Sequence, residues 1–150
     1  MPKAGPSIAL IAVATLIATA PARAAMVEVS VNGVTDARGH IRVDLCTRDT
    51  FLKPSCPYSG AAEAMTGSTT VKIAGVPPGQ YAIQAFHDET DQGVVHQNFL
   101  GIPREAIGFS NDAPVHLRGP SFADAAFTVE RGMQRISIRL RHLFRPTMPK

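Results

Sequence analysis

Apolar and polar residues alternate with a period of two through most of this chain, and few folds can use such a pattern. Val27, Val29 and Val31 interleave with Glu28, Ser30 and Asn32, and Ile41, Val43 and Leu45 interleave with Arg42, Asp44 and Cys46. Val71 and Ile73 flank Lys72, while Tyr81, Ile83 and Ala85 share one parity and Phe127 and Val129 another. Near the C-terminus Ile136, Ile138 and Leu140 alternate with Arg135, Ser137, Arg139 and Arg141. Successive side chains of a strand point to opposite faces, so each segment reads as a strand with one buried face. Turn residues separate the segments at Asn32-Gly33, Asp36 to Gly39, Pro77-Pro78-Gly79 and Arg131-Gly132. Only Ser59 to Met65 (SGAAEAM) is suited to a short helix. The expected fold is all-β, an antiparallel immunoglobulin-like β-sandwich of about seven strands.

The first residues have a different character. Lys3 precedes an uncharged run, IALIAVATLIATA from Ile8 to Ala20, and Pro21 then leads to the small-x-small pattern Ala22-Arg23-Ala24. Such a run is too short to span about 30 Å of hydrocarbon as a helix. It has the form of a secretory signal. The expected organisation is a cleaved signal over residues 1–24, one sandwich domain over 25–144, and a disordered tail over 145–150 (RPTMPK). No cysteine directly follows the run, so a lipid anchor is not expected, and cleavage leaves nothing to span a membrane. The expected location is the periplasm or the medium beyond it. Loss of Lys3 and Arg23 lowers the formal charge from +3 to +1, which gives no electrostatic reason to expect nucleic acid as a partner.

Cys46 and Cys56 are the two cysteines. In an exported chain an even pair reads as a disulfide. Closing so short a loop is worth roughly 2.5–3 kcal/mol in the loop-entropy picture. No third cysteine or histidine stands at a metal-ligand spacing from them. Cys46 has the polar parity of its strand, which suits a bridge to a surface loop rather than a core thiol.

From Asp88 to Phe122 no strong strand pattern appears, yet NFLGIPREAIGFSND (Asn98 to Asp112) is rich in large apolar residues between Gly101, Pro103 and Gly108. Loops longer than about 12–15 residues are uncommon unless they have a function. This one is expected to be ordered and to close an open end of the sandwich, with Phe99, Ile102 and Phe109 turned inward. Asn98, Phe99, Phe109, Ser110 and Asn111 are its candidate ligand contacts. His87, Asp88, Asp91 and His96 are candidate metal ligands; the plainer alternative is a polar turn with His87 as a rim histidine bonded to the adjoining loop. Ser110 and Ser121 have no strand–turn–helix setting for a nucleophile, so no catalytic residue is expected. Arg135, Arg139 and Arg141 read as a charged solvent face that discourages edge pairing, or as a surface for anionic envelope polymers or lipid head groups.

Three blocks carry a family resemblance: VPPGQYAIQAFHDETDQG, HQNFLGIPREAIGFSND and RGPSFADAAFTV, in this order from Val76 onward. They resemble a bacterial family of exported proteins, the domain of unknown function numbered 2141. The resemblance implies a sandwich related to transthyretin-like and carboxypeptidase-regulatory-like modules, with Pro77-Pro78-Gly79 as its turn into the next strand. It implies no activity. The family's D-x-N-x-N-G-x-x-D segment is similar to a calcium loop. Here the ligand positions read Asp88, Thr90, Gln92 and His96, one carboxylate where a hard cation wants several. The function expected is a non-catalytic envelope module that binds a small ligand or an envelope protein through the long loop and has no cofactor. Metal binding at His87–Asp91 is the alternative, and a purely structural accessory the third. Intact-mass analysis of the exported chain should give Ala25 as its first residue; retention of the Ile8–Ala20 run would contradict the signal assignment.

Overall fold

The computed structural model describes Met1 and residues 24–98, 100–116 and 118–143. The expected signal, apart from its two end residues, lies outside the described residues, as do Phe99 and the RPTMPK tail. The strands are β1 (Ala25–Val34), β2 (His40–Cys46), β3 (Tyr58–Glu63), β4 (Gly67–Val76), β5 (Gly79–Asp88), β6 (Ile107–Phe109), β7 (Phe127–Val129) and β8 (Met133–Arg139). A 3-10 turn covers Ser110–Asp112, and one short helix, α1, covers Phe122–Ala125. Two sheets face each other, one ordered β4-β1-β8 and the other β3-β2-β5-β6, with β7 paired to β5. Among the described residues no helix is long and apolar enough to cross a membrane.

The alternation sets the inner faces. Val27, Val29 and Val31 of β1 pack with Ile41, Val43 and Leu45 of β2, Val71 and Ile73 of β4, and Tyr81, Ile83 and Ala85 of β5. At the β4–β5 turn Pro77 fixes the chain, and the Tyr81 hydroxyl donates to the Pro77 carbonyl at 3.0 Å. The sheets close on one another at two glycines. A Cβ on Gly60 would lie 3.0 Å from Val71, Ile73 and the Lys72 carbonyl, and one on Gly108 would lie 2.6 Å from the Arg139 carbonyl.

The structure departs from the sequence expectations in five places. Tyr58–Glu63 is a strand, not a helix: it pairs with β2 along Asp44↔Ser59 and Arg42↔Ala61. Its small residues, which favour a helix locally, are what allow it to approach β4, so tertiary context overrides propensity. The long loop contains β6, paired with Gln84–Phe86 of β5 but too short to show an alternation. The β1–β8 pair is parallel, whereas the remaining strand pairs are antiparallel. These are the first and last strands, and the whole of the intervening chain serves as the crossover that a parallel pair needs.

The fourth departure concerns Cys46, which is fully buried although its parity is outward. It bonds to Cys56 as expected. The outer face of the five-stranded sheet is covered by a second cluster of Cys46, Phe51, Ala82, Phe109, Ala113, Phe122 and Ala125. Phe51 meets Phe109 and Phe122 edge to face, with ring centroids 6.0 and 5.9 Å apart. Arg48 caps the Phe122 ring. The long loop therefore lies over an outer sheet face, where an end closure was expected. Phe109→Ala should cost about 3 kcal/mol or more in chemical denaturation; an unchanged midpoint would contradict its burial.

Candidate functional site

Pairing register aligns the outward side chains of the five-stranded sheet into two rows. Ala61, Arg42, Phe86 and Ile107 form one; Ser59, Asp44, Gln84 and Phe109 form the other. Residues two apart on a strand stand about 7 Å from one another, so the rows are that far apart. They form the floor of a cleft of about 630 Å³. Leu52, Lys53 and Pro54 wall it beyond the second row; Gly93, Val94, Val95, Gln97 and Pro103 wall it beyond the first.

The first wall hangs on the disulfide and on one side chain. Gln84 Oε1 accepts from the Leu52 amide at 2.9 Å, and its Nε2 donates to the Lys53 carbonyl at 3.1 Å and to Asp44 Oδ2 at 3.2 Å. The second wall hangs on Asp88, which is 2 % exposed. Its Oδ2 accepts from Arg42 Nε at 2.6 Å and from the Gly93 amide at 2.7 Å, and its Oδ1 accepts from the Gln92 amide at 3.1 Å. Asp91 (φ 55°) and Gly93 (φ 73°) take left-handed conformations that fold the turn back onto the carboxylate. Further along, His96 Nδ1 lies 2.7 Å from Glu105 Oε1 and His96 Nε2 lies 2.8 Å from Gln92 Oε1. Asn98 Oδ1 accepts from the amides of Leu100 and Ile102, shaping the tip.

Two carboxylates shift in opposite directions. Burial alone would raise the Asp88 carboxyl, but the Arg42 guanidinium and the Gly93 and Gln92 amides outweigh it and hold the carboxyl below the usual range. For Asp44 burial wins over the Gln84 hydrogen bond and the charge of Arg42, so its carboxyl is raised. Asp44 therefore takes up a proton more readily than an ordinary surface aspartate.

The structure does not bring the candidate metal ligands to one point. His87 is 1 % exposed and its Nε2 donates to the Arg38 carbonyl at 2.8 Å, the rim-histidine role. Asp91 Oδ1 lies 2.6 Å from His40 Nδ1 instead. His96 is engaged by Glu105 and Gln92, and Asp88 by Arg42. Among the described residues no group of three or more His, Cys, Asp or Glu side chains is disposed to hold a metal ion. The positive charge beside Asp88 comes from the protein itself.

Of the candidate ligand contacts, Phe109 lines the cleft. Ser110 is an internal clasp: its Oγ accepts from the Ile83 amide and donates to the Ala125 carbonyl. Asn111 Nδ2 donates to the carbonyls of Asp124 and Ala126. GFSN thus ties the long loop to β5 and α1. Sequence reasoning did not single out Arg42, Asp44, Gln84 and Phe86. The available signal was Phe86, a large apolar residue on the outward parity of a strand whose other face is already buried.

The family described as an uncharacterized protein conserved in bacteria matches residues 29–137, which include most of the strands and the whole cleft. No curated protein and no solved structure matches the chain, so the comparisons do not support the transthyretin-like resemblance expected from the sequence. The Asp88 shift fixes a pH dependence. Because its folded pKa is depressed, its stabilisation is complete above the unfolded value of about 3.9 and is lost as pH falls through the folded one. Asp88→Ala should therefore flatten the acid limb of a stability–pH curve; an unchanged limb would show that Asp88 carries none of it.

Proposed function

The chain belongs to this bacterial family, the domain of unknown function 2141, and within it we propose a non-catalytic, ligand-binding module of the cell envelope. Export to the periplasm or beyond is part of the proposal, supported by the signal-like N-terminus and the Cys46–Cys56 bridge. The observation that carries the binding role is the cleft. At about 630 Å³ it lies within the range of small-ligand sites, roughly 300–1,000 Å³. Its floor combines Phe86, Ile107 and Phe109 with a few polar groups, and hydrogen bonds fix both walls before any ligand arrives. Leu52, Val94 and Val95 leave apolar surface open to water there, which is what a binding site keeps and a mere structural surface avoids.

A non-catalytic role fits the lining. Among the described residues it has no histidine or cysteine, and Ser59 is its single hydroxyl. His87, the nearest buried imidazole in sequence, belongs to the inner parity of β5 and is bonded to Arg38.

Ala61 is exposed on β3 and borders the cleft, so a bulky side chain there should obstruct it without disturbing the core. In amide NMR titrations with a mixed fragment library, binders should shift Arg42, Phe86, Val95 and Ile107. Ala61→Trp should abolish those shifts with the melting temperature unchanged. Binders that shift only residues elsewhere, or that ignore Ala61→Trp, would contradict this assignment.

A further inference from the structure

We propose that the cleft takes a short, extended, apolar stretch of polypeptide, read through its main chain by Arg42 and Asp44; this rests on the cleft being the binding site. The charges point first to a neutral ligand. Arg42 and Lys53 are countered by Asp44 and by Asp88 beneath Arg42, so the site has no net charge to offer an anion or a cation. An anion at Arg42 would face Asp44, and a cation at Asp44 would face Arg42.

The free hydrogen-bonding groups point next to a peptide. Asp88 engages Arg42 through Nε, and among the described residues the terminal guanidinium nitrogens make no hydrogen bond. Asp44 accepts from Gln84 at Oδ2, and among the described residues its Oδ1 makes none. β2 thus offers the floor one donor group and one acceptor from positions two residues apart on one face, whose Cα atoms lie about 7 Å from each other, with the Ser59 hydroxyl of β3 beside Asp44. An extended chain presents its N–H and C=O groups along one edge with the same two-residue repeat. A carbonyl of the ligand can meet Arg42 while an amide two residues along meets Asp44. Its side chains then fall on Phe86, Ile107 and Phe109 and against Val94 and Val95.

Other ligand classes fit less well. The chain has no tryptophan, no tyrosine lines the cleft, and the polar contacts of Gln84 are spent inside the protein. A sugar would lack both a stacking platform of the usual kind and the dense polar fringe it needs. A fatty chain would use the apolar flank but leave Arg42 and Asp44 without partners, and unmade bonds at a desolvated site weaken binding.

The full exported protein should be titrated with the capped peptide Ac-Ala-Leu-Ala-Leu-NH₂, with octanoate and with maltotetraose, following amide shifts. The peptide should saturate shifts at Arg42, Phe86, Val95 and Ile107, with octanoate and maltotetraose weaker by about tenfold or more. Asp44→Ala removes a carboxylate that burial already disfavours, so the fold should survive, and peptide affinity should drop by about tenfold. Arg42→Lys keeps a cation for Asp88 and should weaken the peptide as well. Octanoate or maltotetraose binding at these residues as tightly as the peptide would overturn the peptide assignment and leave the cleft a binding site. Peptide binding unaffected by Asp44→Ala would overturn the main-chain readout. No shift with any of the three would overturn both the ligand class and the cleft's role.

Discussion

The Asp88 carboxylate sits at the end of β5 with 2 % of its surface exposed, and it keeps its charge there because Arg42 Nε lies 2.6 Å away. Removing Arg42 would leave the Asp88 carboxylate an unpaired buried charge, a penalty of about 3–5 kcal/mol, whereas Arg42, about a third exposed, would still meet water without Asp88. The pair joins β2 to β5, closes the turn through the Gln92 and Gly93 amides, and thereby sets where Val94 and Val95 stand. It also fixes the Arg42 guanidinium in the floor of the cleft, so one interaction serves the fold and the candidate site alike.

The rest of the outer face follows from a second constraint. Ala82 and Cys46 are apolar on the side of the sheet that would ordinarily meet water, so something must cover them. The 109–126 region does so with Phe109, Ala113, Phe122 and Ala125, and the disulfide loop adds Phe51. Ser110 holds the cover down from beneath, and Gln84 holds the disulfide loop from the side. The cover stops short of Arg42, Asp44 and Phe86. The cleft is the part of a two-faced sheet that the loops leave open.

Much of the fold was legible because alternation survives wherever a strand has one wet face. β1, β2, β4, β5 and β8 all announce themselves through Val, Ile or Tyr at every second position. Where the inward residues are small, or the strand is very short, that signal fails. β3 reads as a helix because its small residues serve a close approach to β4, and β6 is too brief to show a period. Cys46 misleads for the same reason as the cleft was missed: its outward parity implies water, but most of its cover arrives from residues more than sixty positions further along. His87 was legible as a rim histidine, since parity placed it inward and its partner, the Arg38 carbonyl, needs no sequence signature. The histidines and carboxylates of the turn looked like a ligand set in one dimension. In three dimensions His40, Arg42 and Glu105, each distant in sequence, had already partnered Asp91, Asp88 and His96.

The central claim is that the two walls are fixed parts of the folded sheet, ready before a ligand arrives. Native-state amide hydrogen exchange tests it most directly at two positions. The Leu52 amide is bonded to Gln84, and the Gly93 amide to Asp88. If the walls are integral, both should exchange only through openings nearly as costly as the one that exposes Val43 in β2, the pattern of a single cooperative unit. Exchange of Leu52 and Gly93 at the rate of an unfolded chain, while Val43 stays protected, would show walls that open freely and would contradict a preformed cleft.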